Sequence, residues 1–271
     1  MPIRTRLYYV AGAIVLTVAL YLAPRDRSVK PEISSTIDGL FESVLENSKA
    51  GLPKAVTDSV LVLEKMLQSN PEDTSVMAEL GRRWDRMGVW PVSAHYFEQV
   101  AKRSPGERQW LNAAYRYFDA FKASNDTSVA QIYAENAIRC YQEVLKLAPE
   151  NLDAKTDLGV CYAESSPNPM QGIVMLREVV EKKPDHENAQ YNLGVLSVKS
   201  GQLEKAVVRF AKVVEINPSR KDAEFLLARC YADMGQRDKA IPILGRLKND
   251  SSINGLAVQA ATLYDKLNSN Q

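Results

Sequence analysis

The chain has 271 residues, 45% of them hydrophobic and 25% charged, with a formal net charge of +1 and a pI near 7.6. A near-neutral chain with no Lys/Arg block beyond a short N-terminal stretch lacks the basic footprint of a nucleic-acid binder, and that class is excluded. Cys140, Cys161 and Cys230 are far apart in apolar runs with no CxxC or Cys/His cluster, so they read as small buried hydrophobes; neither a metal site nor a cofactor is expected.

The first predicted element follows a basic tail, residues 1–6, containing Arg4 and Arg6. Residues 7–23 (LYYVAGAIVLTVALYLA) form 17 uncharged residues, at the short end of what crosses a bilayer. Tyr8, Tyr9 and Tyr21 stand near its ends, where amphipathic rings favour the interface. Signal-peptide cleavage after Ala23 would put bulky Tyr21 where a small residue is needed and Pro24 just past the cut, so an uncleaved anchor is predicted. Arg4 and Arg6 before the span nearly balance Arg25, Arg27 and Lys30 after it. A short basic tail kept in the cytoplasm would place the rest on the extracytoplasmic side, for instance of a bacterial inner membrane. The three thiols pull toward the cytoplasm, which is the alternative. Residues 24–35 are polar, contain Pro24 and Pro31, and read as a short linker.

Beyond the linker, Pro71, Pro105, Pro149, Pro184 and Pro218 each close an amphipathic stretch, at intervals of 34, 44, 35 and 34 residues. Such a period points to a helical solenoid. Between the prolines, Leu80-Gly81, Leu158-Gly159, Leu193-Gly194 and Leu227-Ala228 recur at one place, followed three residues later by Trp84, Tyr162 and Tyr231 in three units. Gly88, Gly201 and Gly235 fall where a helix must reverse. Ser93, Ala137, Gly172, Ala206 and Ala240 then supply a small residue, with Phe97, Tyr141, Leu176, Phe210 and Leu244 four positions later.

This pattern resembles the tetratricopeptide repeat across residues 36–252. The resemblance implies an all-α, right-handed helical-hairpin solenoid. Its units are a degenerate first repeat at 36–71 and repeats at 74–105, 107–150, 152–185, 187–220 and 221–252, with a capping helix at 254–268. The 152–185 unit carries one extra residue in its turn, within Ser165 to Pro169, and the 107–150 unit about 11 more than its neighbours. Those 11 residues equal about three helical turns, expected to be shared by both helices of the hairpin. The enlarged unit is aromatic, with Tyr117, Phe118, Phe121 and Tyr133. These rings either pack inside the long hairpin or form a ridge open to a partner.

The resemblance also implies a groove lined by the first helix of each hairpin. Its slots hold Glu79 and Arg82; Asn112 and Tyr115; Asp157 and Val160; Tyr191, Asn192 and Val195; and Phe225 and Arg229. The two-carboxylate clamp of chaperone-tail receptors in that family is matched only at Asn192; its other slots hold Thr156, Val160, Asp222 and Leu226, and Asp222 would repel a carboxylate. His95 and His186 have no metal or triad partners in the sequence, and no nucleotide-binding or hydrolase motif is present. The expected function is a non-catalytic, membrane-anchored adaptor that holds a protein or peptide in envelope assembly, secretion or quality control. Alternatives are an accessory subunit of a membrane-associated enzyme and a cytoplasm-facing receptor.

Overall fold

The computed structural model describes residues 37–269. The tail, the apolar segment 7–23 and the linker lie outside the described residues. Among the described residues, no helix is long and apolar enough to cross a membrane. The chain divides into a unit ending at Ser43, of which only the start of the first helix is described, and a unit from Val44 onward. The helices are α1 (Ile37–Ala50), α2 (Lys54–Ser69), α3 (Thr74–Arg86), α4 (Trp90–Arg103), α5 (Glu107–Ala123), α6 (Thr127–Leu147) and α7 (Leu152–Ser165). They continue as α8 (Pro169–Lys182), α9 (Glu187–Lys199), α10 (Leu203–Ile216), α11 (Lys221–Asp233), α12 (Arg237–Leu247) and, after a short 3-10 turn at Ser251–Ile253, α13 (Asn254–Ser269).

The periodic prolines act through the residue before them. Asn70, Ser104, Ala148, Lys183 and Asn217 each leave the helix at φ between −134° and −139° with positive ψ. A following proline ring excludes the helical region at that position, so α2, α4, α6, α8 and α10 stop there. Three of the helices that follow start on side-chain caps: Asp73 accepts from the amides of Ser75 and Val76, Asn151 from that of Ala154 and His186 from that of Ala189.

Within a hairpin the reversal rests on glycine. Gly88, Gly201 and Gly235 have φ of 71°, 71° and 74°, a region that a Cβ disfavours. A Cβ on Gly201 would touch nothing within 4 Å, so only the backbone cost remains. Gly201→Ala should therefore lower stability by about 1 kcal/mol, measured by urea unfolding. Gly255→Ala, with ordinary φ and open space in α13, should not destabilise.

Paired helices close through small residues facing large ones. A Cβ on Gly81 would stand 3.1 Å from the ring of Phe97, and one on Gly194 only 2.7 Å from that of Phe210. The large side chain thus covers the glycine of its own hairpin; Phe97 is buried and Phe210 completely so, each worth about 2–3 kcal/mol of transfer free energy. In the α7–α8 hairpin the large residue is the smaller Leu176, and the backbones come closer. There a Cβ on Gly172 would lie 2.1 Å from the Gly159 carbonyl oxygen and 2.5 Å from the Ala163 nitrogen.

The enlarged hairpin keeps a three-residue turn, Ser124 to Asp126, and places its extra residues in helix: α5 has 17 residues and α6 has 21, against 13 or 14 in the hairpins on either side. Asp126 caps α6 through the amides of Ser128 and Val129. The extra residue of the next unit is not in its turn, which also has three residues (Ser166 to Asn168). It lengthens α7, whose terminal Ser165 hydroxyl donates to the Cys161 carbonyl.

Charged pairs tie one hairpin to the next. Arg116 reaches Asp85 at 2.6 Å and Arg220 reaches Glu187 at 2.8 Å, while Arg103 holds Glu72, in the connector ahead of its own hairpin, at 2.7 Å. Glu164 at the end of α7 takes Lys122 from α5 and Lys199 from α9 at once. First helices of successive hairpins also approach directly, α5 with α7 and α7 with α9, whereas the second helices stand further apart. The first-helix row is therefore the inner, concave side of the array.

Candidate peptide-binding groove

The concave side is built where α5, α7 and α9 lie next to one another. Tyr115 on α5 is half-buried, its ring edge-on to the fully buried Tyr141 with centroids 6.1 Å apart. The Tyr141 hydroxyl donates to Asp157 on α7 at 3.2 Å. Burial pushes the Asp157 carboxyl up to about 6; the Tyr141 hydrogen bond works against this, and Asp153 and Asp119 add to it. Asp119, on the last turns of α5, is likewise raised by burial and by Asp85. Its neighbour Arg116 is engaged by Asp85 through two hydrogen bonds, at 2.9 and 2.6 Å. Among the described residues no cation pairs with Asp157, which leaves an uncompensated carboxylate between two tyrosines.

Along the groove, Asn112 is half-buried on α5. Asn192 on α9 spends one amide hydrogen on the Asn188 carbonyl at 2.8 Å. Tyr191 is half-buried, edge-on to Phe210 at 5.9 Å, with the Arg220 guanidinium 4.0 Å above its ring. Val195 is partly buried against the α10–α11 core. Arg229 on α11 is exposed and lies 3.9 Å from Asp233. Glu79 and Arg82 satisfy each other at 2.9 Å, and Glu79 also holds Arg83.

Two groove residues require correction. Val160 belongs to the core that α7 shares with α8 and α9, and Phe225 to the core of α11, α12 and α13. Each lies on the side of its helix that meets a neighbouring helix, so neither presents its side chain to the groove.

Of the two readings of the aromatic hairpin, packing inside it describes Tyr117 and Tyr133, and the ridge does not. Tyr117 is completely buried and Tyr133 is buried too, so neither ring faces a partner. Phe118 is half-buried against the α7–α9 core, and Phe121 packs edge-on to it at 6.3 Å. The reason lies 19 residues back in sequence: the Tyr117 hydroxyl donates to Glu98 at 2.7 Å, a glutamate on α4 with 1% of its surface exposed. Lys102 reaches the same carboxylate at 2.7 Å, and Arg139 from α6 completes the cluster. Burial pushes the Glu98 pKa up, but hydrogen bonds from Arg139, Lys102 and Tyr117 outweigh it and hold the carboxyl down at about 2. No local sequence signal marks this cluster, since Glu98 sits among ordinary helix residues.

His186 caps α9, its Nδ1 accepting from the Ala189 amide at 3.3 Å, while Nε2 meets Asp153 at 3.2 Å. Cys140, Cys161 and Cys230 are buried, and burial raises each thiol, Cys230 to about 11. Among the described residues no group of three or more His, Cys, Asp and Glu side chains could hold a metal ion.

Comparison with known proteins agrees with the geometry. A tetratricopeptide-repeat family model matches residues 197–252. No curated protein is similar enough in sequence to count as a relative. Among solved structures, PilW, described as a widely conserved type IV pilus biogenesis factor, matches with a TM-score of 0.57 at 14% identity, over 83% of this chain and 98% of its own. TTC0263, a thermophilic tetratricopeptide protein of Thermus thermophilus, matches with a TM-score of 0.50 at 17% identity, over 73% of this chain and 100% of its own. The fold is an all-α helical-hairpin solenoid of the tetratricopeptide type.

Proposed function

We propose that this chain is a non-catalytic adaptor whose concave groove holds an extended segment of a protein partner bearing a basic side chain. The observation that carries the reading is Asp157. It is a half-buried carboxylate without a cation among the described residues, set beside Tyr115 and Tyr141, where its charge is disfavoured in the free protein. A Lys or Arg side chain placed there would supply the missing charge, and the tyrosine ring would cover its aliphatic stem. Asn112 and Asn192 offer amide groups to a peptide backbone on either side. Segment 7–23 would tether the array to a membrane, with the bacterial inner membrane and its extracytoplasmic side as the proposed setting. Protease access to the repeats in intact and permeabilised cells tests that placement.

Asp157→Asn tests the groove with two readouts of opposite sign. Removing a disfavoured charge while keeping an acceptor for Tyr141 should raise stability at pH 7 by about 1–2 kcal/mol. The same change should abolish enrichment of Lys- and Arg-containing peptides when a random peptide display library is selected on the full chain. A variant that is more stable yet enriches the same peptides would overturn the reading.

A further inference from the structure

On the outer side of the array the second helices stand apart, and between α8 and α10 the gap stays open down to α9. Met170 and Ile173 on α8 and Val208 on α10 form its apolar walls; Leu193 and Leu196 of α9 form its floor. Met170 and Val208 are 52% and 67% exposed, free apolar surface on both walls that folding has left unused. Positions 170, 173 and 177 follow helical spacing, so the α8 wall is one continuous stripe ending in Arg177.

The charges at this groove do not balance. Arg177, Lys205 and Arg209 line it, against Glu204 as the one carboxylate among its described lining residues. Among the described residues Arg177 has no ion-pair partner, and Arg209 has a neutral one, the Gln190 side chain at 2.8 Å. Gln190 is itself buried and fixed by a 2.7 Å bond to the Pro184 carbonyl, so the guanidinium is held in place from behind. Burial lowers the Arg209 pKa, and the charge of Arg177 lowers it further, which places two like charges side by side. The held Arg209 guanidinium, with the unpartnered Arg177 lining the same apolar trough, is complementary to a carboxylate attached to apolar side chains.

We infer that the α8–α10 groove docks an acidic amphipathic helix of a partner protein, its apolar face against Met170, Ile173 and Val208 and a carboxylate against Arg177 and Arg209. This surface is on the opposite side from the concave groove and does not depend on Asp157, so an Asp157→Asn chain should still use it.

The test is site-specific crosslinking of the full chain in cells, with Val208→p-benzoylphenylalanine as the probe and Val258→p-benzoylphenylalanine on α13, equally exposed, as the control. Mass spectrometry should identify a crosslinked peptide from another protein with Asp or Glu within one turn of its apolar residues. Arg177→Glu should reduce that crosslink at least tenfold and Arg177→Gln less, both with unchanged melting temperature because Arg177 holds no partner whose loss would unfold the chain. A synthetic copy of the peptide should lose at least tenfold in affinity to the Arg177→Glu chain and regain it when its acids are changed to Lys. Crosslinks to a second copy of this chain, to lipid or to a segment without carboxylates would overturn the inference. So would a yield unchanged by Arg177→Glu, or no yield above the Val258 control.

Discussion

Gly172→Ala should destabilise the protein by about 3 kcal/mol or more, although alanine is the better helix former. In an open helix the change would gain nearly 1 kcal/mol. Here the added Cβ would stand 2.1 Å from the Gly159 carbonyl oxygen and 2.5 Å from the Ala163 amide nitrogen. Both are backbone atoms of a packed helix, so α7 and α8 would have to separate, and overpacking of this kind outweighs the propensity gain. At the equivalent places the chain carries Ser93, Ala137, Ala206 and Ala240, which a reader of the repeat alone would treat as interchangeable. The difference is that both facing positions are glycine here: a Cβ on Gly159 would in turn stand 3.1 Å from the Gly172 carbonyl oxygen, so backbone lies against backbone. Denaturant unfolding checks the magnitude; a midpoint equal to that of the parent chain would refute the argument. Gly81→Ala should cost less, because its neighbour is a phenylalanine ring that can shift by a few tenths of an ångström.

Glu98→Gln should lower stability at pH 7 by about 2–3 kcal/mol, and the loss should shrink as the pH falls. The folded pKa, about 2, lies below the ordinary 4.5, so the stabilisation is complete above the ordinary value and is lost as pH falls through the folded one. Asp157 has the opposite sign. Its folded value of about 6 lies above the ordinary 3.8, so its penalty is present above pH 6 and is relieved as pH falls toward 4. Together they predict a melting temperature that rises slightly from pH 7 to about 4.5 and then falls steeply toward pH 2. Asp157→Asn should remove the rise and Glu98→Gln much of the fall. A scan of melting temperature against pH on the three proteins separates the two contributions.

What is legible in the sequence is mostly what the backbone dictates. The prolines stop helices through the residue before them, and Gly88, Gly201 and Gly235 adopt positive φ wherever they stand, so both can be read without knowing what lies nearby. The length of the α5–α6 hairpin is legible for the same reason. Side-chain roles are not. Tyr117 is buried because Glu98 and Arg139 meet it from helices before and after its own, a convergence that no local pattern records. Val160 and Phe225 occupy slots at the margin between groove and core, where a small rotation of the helix decides which way they face. Asp157 can be placed on the first helix of its hairpin from the repeat, but its missing counter-charge becomes visible only with Arg116 engaged by Asp85.

The carboxylate that Glu164 shares between Lys122 and Lys199 gives the centre of the array a mechanical property. A solenoid whose hairpins touch only their neighbours bends like a stack of independent hinges. A single group that pulls on both flanking hairpins couples two of those hinges, so tension that opens one side slackens the other. With only 15% of the Glu164 side chain exposed, the tie is screened less than a surface pair, and it acts as a spring whose stiffness declines as salt is added.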